Sequence, residues 1–143
     1  MGLTIETKGW SLDLSYSAFD RFRTRIAYLA SEAFGQHYDS LSNAMFLCDS
    51  ERREFFKAFD EQTRVFVLEG IVSAEVVNFC MQSDLEGELD LRQVEHVLAL
   101  MEASSDSDDK IYGYMGRPNP TTWGDLKDLF RDSLKTEQPV RWW

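Results

Sequence analysis

The sequence predicts a single α+β domain that is mostly helical and carries a small amino-terminal β-hairpin. Three observations predict this class. Apolar residues alternate with polar ones near the amino terminus, they recur at helical spacing along most of the rest, and no Pro-, Gly- or Ser-rich linker divides the 143 residues. The length is that of one ordinary domain, and the 43% apolar content suffices for a close-packed core. We therefore expect residues 1–143 to form one domain.

The hairpin is predicted from two alternating runs, residues 3–7 and 10–16, with a Lys-Gly pair between them as the turn. Ser17 is then the expected N-cap of the first helix, and Gly35 its expected end. The chain finishes with Val-Arg-Trp-Trp (140–143). Because burial of two tryptophan side chains is energetically favourable, we expect this tail to pack against the rest of the domain. One way to do so is to form a strand beside the hairpin.

The central part of the chain predicts several short helices. Residues 36–49 show no clean period and are predicted to be a loop or a short irregular segment. Ser50 is the expected cap of one helix, and a second helical run follows at 65–68. Ser73 and Asp90 are the expected caps of two further helices, the second of which has Gln at its third position, as in a capping box.

The last third of the chain predicts an extended segment followed by a final helix. Residues 110–116 are aromatic and typical of a strand or an extended link, and the two prolines in 117–120 exclude a helix there. Thr122, with an Asp three residues on, predicts another capping box. An apolar stripe over 123–134 then predicts an amphipathic helix.

The net charge of −10 is concentrated in one quarter of the chain. Residues 84–109 carry nine acidic residues and one arginine, and so supply −8 of it. The electrostatic field of this concentrated negative charge repels nucleic-acid phosphates and anionic membranes, and it attracts basic protein surfaces. We expect a protein partner with a basic surface, no direct binding of nucleic acid and no membrane association. The polar first residues contain no signal-peptide pattern, so a cytoplasmic location is expected.

Residues 82–93 have part of the pattern of a calcium-binding loop. With Gly87 at the sixth position, acidic residues occupy the third, fifth and ninth. The first and twelfth positions are Gln82 and Gln93, which supply neither the carboxylate anchor nor the bidentate clamp that calcium requires. The residues favour a tight turn at Gly87 and a helix start at Asp90, and a degenerate calcium module is kept as an alternative.

Other cofactor chemistry finds little support in the sequence, and we expect no cofactor. His37 and His96 have no second His or Cys at ligand spacing, and no glycine pattern matches a phosphate-binding loop. Cys48 and Cys80 are expected to be reduced and buried. A nucleophile–base pair of His37 and Cys48 stays open, without a supporting motif.

We expect the partner to contact the acidic segment and the aromatic, Pro-flanked segment after it. An arginine and tyrosines in a rigid loop are residue types that are enriched in binding hot spots. The candidate partner-binding residues are Glu86, Glu88, Asp106, Asp108, Asp109, Tyr112, Tyr114 and Arg117. The competing interpretation is that the acids are a solvated surface, that Arg117 pairs with a carboxylate and that the tyrosines fill the core.

The last third of the chain resembles a group of short uncharacterised proteins of bacteria and their phages. In that group, a Y-G-Y-x-G-R segment precedes a helix of the F-x-D-F-K-x-L-L kind and an aromatic-rich end. The matching positions are Tyr112, Gly113, Tyr114, Gly116, Arg117, Trp123, Asp125, Leu126, Lys127 and Trp142. The resemblance implies a prokaryotic or phage accessory protein and transfers no catalytic residues.

The sequence thus predicts a non-enzymatic acidic protein that binds a macromolecular partner. The sharpest version is an inhibitor or immunity-type protein that meets a basic surface. The alternative class is a small-ligand-binding protein or enzyme, with an aromatic-lined pocket between the hairpin and the helices.

Overall fold

The structure, a computed structural model, describes residues 2–104 and 123–143, so the predicted extended segment 110–120 and the cap Thr122 lie outside it. The predicted class is confirmed: the domain is α+β and mostly helical. In chain order the elements are β1 (Gly2–Thr7), β2 (Trp10–Ser15), α1 (Tyr16–Ala30), α2 (Glu32–Asp39), a 3₁₀ helix (Ser40–Phe46), α3 (Asp49–Leu68), α4 (Ala74–Met81), β3 (Gly87–Leu89), α5 (Leu91–Glu102), α6 (Trp123–Thr136) and β4 (Val140–Trp142).

The strands form one antiparallel sheet in the order β2-β1-β4-β3. The predicted hairpin is β1 and β2, and its turn contains Gly9, whose φ of 88° suits glycine. The carboxy-terminal tail docks beside the hairpin, because Ile5 of β1 lies opposite Trp142 of β4. The alternation of buried and exposed residues along β1 puts Leu3 and Ile5 into the core.

Gly87 corrects the prediction of a tight turn. It begins the strand β3 and lies opposite Trp142 in the sheet. The Trp142 indole packs directly on the glycine, and a Cβ at this position would overlap with the ring. Glycine is therefore required for close approach and not for a turn. The edge of β3 is covered by the Gln82 side chain, whose amide bonds both the N–H and the C=O of Glu88.

The core lies between the sheet and the helices α1, α4, α5 and α6 and is rich in aromatic rings. Phe22 illustrates the packing: its ring centroid lies 5.6 Å from that of Phe79, 5.7 Å from Trp123 and 5.8 Å from Phe130, all in edge-to-face geometry. Trp142 lies 5.3 Å from Phe19 on the sheet side. The space between the hairpin and the helices is thus occupied by side chains of the protein itself.

Two of the predicted N-caps, Ser73 and Asp90, are confirmed, and the predicted N-cap of the first helix, Ser17, is wrong. Ser73 and Asp90 accept the predicted backbone hydrogen bonds, and Asp90 forms a full capping box with Gln93. The first helix is capped by Ser15 and not by Ser17, because the strand runs directly into the helix and Ser15 accepts the N–H of Ala18.

Gly35 does not end the first helix. The first helix ends at Ser31, whose backbone is extended. The Ser31 hydroxyl accepts a hydrogen bond from the N–H of Phe34 and so caps the start of α2. Gly35 lies inside α2, where the Tyr28 ring leaves no room for a Cβ. Its role is again close packing between neighbours, which residue spacing alone does not distinguish from a helix end.

The predicted loop at 36–49 and the two short helices after it are also corrected. Residues 36–39 complete α2, the 3₁₀ helix follows, and one continuous 20-residue helix, α3, replaces the two short runs. Cys48, not Ser50, is the N-cap residue of α3. Across the described ranges 2–104 and 123–143, no helix has both the length and the apolar character that crossing a bilayer requires.

Candidate functional site

The structure describes two of the eight predicted partner-binding residues. Glu86 is exposed in the bend before β3, and Glu88 lies on β3, where its Oε2 accepts a hydrogen bond of 2.7 Å from Arg141 Nε. The other six, Asp106, Asp108, Asp109, Tyr112, Tyr114 and Arg117, lie outside the described residues.

Arginines from distant parts of the chain offset several acids of the segment 84–104. Asp84 pairs with Arg23 of α1, Glu88 with Arg141, and Glu102 accepts two hydrogen bonds, of 2.7 and 2.8 Å, from Arg131 of α6. The net negative charge at the surface of this segment is therefore smaller than its composition indicates. Sequence reasoning missed these pairs because their members are 29 to 61 positions apart.

A cleft of about 320 Å³ lies where α1, α2, the 3₁₀ helix and α4 meet. Its lining brings together three carboxylates and one buried guanidinium: Asp20, Asp39, Asp84 and Arg23. Arg23, only 3% exposed, donates to the carbonyl oxygens of Phe79 (3.2 Å) and Gln82 (2.6 Å) and to the Asp84 carboxylate. These hydrogen bonds link the end of α4 to α1. Arg23 therefore stabilises the packing of the two helices that line the cleft.

Three groups of the cleft, Asp20, Tyr38 and Cys80, have pKa values shifted against ionisation. Burial raises the pKa of the Asp20 carboxyl, and the negative charge of Asp84 adds to this rise. Burial also raises the pKa of the Tyr38 phenol and raises the pKa of the Cys80 thiol to about 12. The Cys80 thiol is therefore protonated at neutral pH, which does not suit a thiolate nucleophile.

The second candidate surface is the arm, which we define as the 3₁₀ helix and α3 (residues 40–68). The arm packs mainly on α2, and Phe59 is the one fully buried side chain of α3. Apolar side chains on it remain in contact with water: Phe46 is 83% exposed, Leu68 78% and Met45 70%. Met45 and Phe46 are adjacent at the end of the 3₁₀ helix, while Leu68 lies at the other end of the arm. Neighbouring exposed apolar groups are typical of interaction sites.

A shallow hollow of about 510 Å³ lies at the start of α3 and is lined by Leu47, Ser50, Glu51, Glu54 and Phe55. It is held in shape by Arg52, which donates to the carbonyl oxygens of Ala44 and Leu47 and so ties the 3₁₀ helix to the first turn of α3.

The Cys48 side chain lies beside this hollow. Contrary to prediction it is exposed, and its Sγ donates to Glu51 Oε1 at 2.8 Å. The other cysteine, Cys80, is buried as predicted, and neither forms a disulfide.

An aromatic stack attaches the arm to the body. The His37 ring on α2 lies parallel to Phe59 at 3.9 Å, and its Nε2 is 2.8 Å from Thr63 Oγ1. Burial lowers the pKa of His37, so the neutral ring is the favoured form. His37 thus interacts with α3, while Cys48 interacts with Glu51, so each half of the proposed nucleophile–base pair has another partner.

The stretch 82–93 uses its polar side chains in internal hydrogen bonds. Gln82 bonds the backbone of Glu88, and Asp90 and Gln93 bond each other's backbone N–H groups. Within the ranges 2–104 and 123–143, no group of three or more His, Cys, Asp or Glu side chains is placed to hold a metal ion. His96 lies partly exposed on α5, 3.8 Å from Glu75.

The chain matches no protein-family model, no curated protein and no solved structure. The interpretation of the two candidate surfaces therefore rests on their own geometry.

Proposed function

We propose that this chain is a protein-binding domain that engages a basic partner through the arm. One observation carries the proposal: α3 runs for 20 residues with a single fully buried side chain, while large apolar groups beside its start remain in water. Among the described residues, Phe46, Leu68 and Met45 are the three most exposed large apolar side chains, ahead of Leu85 at 66% and Trp143 at 55%.

The exposed groups are of the kind that stabilise complexes. Burying one large apolar side chain releases on the order of 1.5–3 kcal/mol, and aromatic residues and Met are enriched at the centres of interfaces. Met45 and Phe46 directly precede Leu47, which lines the hollow, and both are exposed. We therefore expect an incoming surface that fills the hollow to contact them as well.

The charge of the molecule supports a basic partner. The net charge of −10 steers cationic surfaces towards the protein and repels nucleic acid and anionic lipid. The narrower proposal is an inhibitor or immunity-type protein that covers the partner's working surface, in the cytoplasm of a bacterium. Asp106, Asp108 and Asp109, and the residues around Arg117, would add contacts to the same partner.

Affinity capture from a nuclease-treated bacterial lysate tests the proposal, with mass spectrometry at low and at moderate salt. We expect one stoichiometric basic protein that is released as salt rises. The double variant M45S/F46S should lose this protein. The matched control is Leu68→Ser, which changes a similarly exposed apolar residue at the other end of the arm, about 20 Å along the axis of α3 from Phe55.

Equal capture by M45S/F46S and the wild type would remove the arm from the proposal. A triple charge reversal of Asp106, Asp108 and Asp109 to Lys measures the contribution of the acidic segment. Unchanged binding of that variant would remove the segment and leave the arm as the contact surface.

The cleft favours a second candidate function, the binding of a small ligand. Arg23 pairs with Asp84 in the lining of this cavity of about 320 Å³, and the two other carboxylates, Asp20 and Asp39, suit a small organic cation. A panel of small amines and guanidines should then raise the melting temperature of the protein, and Asp39→Asn should abolish the rise. No rise with any compound would leave protein binding as the function to pursue.

A further inference from the structure

The hollow at the start of α3 combines an apolar floor with an acidic rim. Leu47 and Phe55 are half-buried and form the floor, and Glu51 and Glu54 are exposed on the rim. We infer that this hollow receives a partner segment in which a bulky apolar side chain is flanked by Arg or Lys. The inference rests on the proposed function and specifies the partner's chemistry at that site.

The two rim carboxylates differ from Glu88 and Glu102 on the body. Glu88 and Glu102 are already paired with arginines of the protein, whereas neither Glu51 nor Glu54 forms an ion pair within the part of the chain that the structure describes. The Cys48 thiol donates a hydrogen bond to Glu51. The rim therefore keeps its negative charge for a cation that arrives from outside.

The cations of α3 do not cancel this rim. The Arg52 guanidinium is turned towards the carbonyl oxygens of Ala44 and Leu47. Arg53 follows Glu51 by two residues, which places it on the opposite side of a helix with 3.6 residues per turn. Lys57 follows Glu54 by three residues and therefore lies on the same side of the helix. Within the described residues it forms no ion pair with Glu54, and it does not line the hollow. The negative side of the helix and the apolar floor thus coincide.

A second copy of this chain is a poorer occupant than a basic partner. A twofold contact through the hollow would bring Glu51 and Glu54 of both copies together, between molecules that each carry a net charge of −10. Like charges in an interface disfavour association. We therefore expect the protein to be monomeric in light scattering at the concentrations used for binding.

Fluorescence anisotropy with three labelled 12-residue peptides tests the inference. The first peptide places Leu and Arg on one helical face, the second replaces each Leu with Ser, and the third replaces each Arg with Glu. We expect the Leu/Arg peptide alone to bind. The variant E51K/E54K should weaken its binding at least tenfold, and D60K/E61K less than twofold.

The second variant is a matched control, because it makes the same charge change on exposed residues of the same helix. Equal weakening by both variants, equal binding of the Ser-containing peptide, no binding of the Leu/Arg peptide, or a dimer in light scattering would each overturn the inferred chemistry. These outcomes are separate from the capture experiment: if M45S/F46S still loses a cellular partner, the proposed function stands with a different partner chemistry.

Discussion

The body and the arm of this protein use the same residue type in opposite ways. In the body, Phe19, Phe22 and Phe79 are completely buried and contact one another edge to face. On the arm, Phe46 is almost fully exposed and Phe56 is exposed beside Phe55. Both regions are rich in phenylalanine, so composition does not decide what is buried. What decides it is the number of elements that face a given side chain.

The body places a sheet and several helices around one centre, so an apolar stripe on α1 is covered from more than one direction. α3 has α2 and the 3₁₀ helix as its main neighbours, which cover one stripe containing Phe59 and Phe66. Leu41 and Val67 of the arm also pack against the core, whereas Met45, Phe46 and Leu68 remain exposed. This difference is the basis of the proposed binding role.

The largest expected effect separates the two regions directly. Phe22→Ala should destabilise the protein by about 3–5 kcal/mol, because it removes a ring packed against several others. Phe46→Ala should change the free energy of unfolding by less than about 0.5 kcal/mol, because that ring is in water in the native and unfolded states alike. Urea unfolding followed by circular dichroism measures both. Similar costs for the two variants would show that Phe46 is packed and would remove the distinction.

Phe59→Ala tests how the arm is attached. The substitution removes the ring that stacks on His37, and we expect about 2–3 kcal/mol of destabilisation confined to the arm. Hydrogen exchange of residues 49–68 should accelerate, while the exchange of β1 and α5 stays unchanged. Acceleration throughout the body would mean that arm and body unfold as one unit.

Gly87→Ala sharpens the account of the sheet. The added methyl group would collide with the Trp142 indole, so we expect a loss of about 1–3 kcal/mol. The double variant with Trp142→Leu should show little additional cost from the alanine, because the smaller side chain leaves room for it. If Gly87→Ala is neutral in the otherwise unchanged protein, the close approach of β4 to β3 is wrong.

The smallest expected effect concerns Asp20 in the cleft. Because its native pKa is raised, the native state holds this proton more tightly than the unfolded state, and stability falls as pH rises above about 4. Asp20→Asn should therefore stabilise the protein at pH 7 by up to about 0.5 kcal/mol and have no effect near pH 3. Melting temperatures across this pH range check the sign. Destabilisation at pH 7 would indicate that the carboxylate has a favourable partner.

The elements that the sequence predicted correctly are those defined by neighbouring residues. The hairpin follows from alternation around Gly9, the Asp90 capping box from residues three apart, and α6 from its apolar stripe. Gly35 and Gly87 were misread, because the Tyr28 and Trp142 rings that require glycine there are identified only by the packed structure.

The binding surfaces were harder to predict for a related reason. The charge of residues 84–104 suggested an acidic face, but Arg23, Arg131 and Arg141 reach it from other elements. The exposed surface of the arm was not predicted, because its apolar residues have ordinary helical spacing. Such spacing does not reveal whether a neighbouring element covers these residues. The exposure of Met45 and Phe46 follows only from the path of the 3₁₀ helix at the edge of the fold.

Photo-crosslinking from Cys48 tests the central claim most directly. This thiol is exposed beside the hollow, whereas burial raises the pKa of Cys80 to about 12, so a thiol-reactive crosslinker attaches to Cys48 alone. A control protein, Cys48→Ser with Leu68→Cys, carries the same crosslinker at the far end of α3. In a bacterial lysate at low salt, we predict one major product from position 48 and little of it from position 68. Equal products from both positions, or none from position 48, would contradict the assignment of the binding surface to the start of the arm, around the hollow.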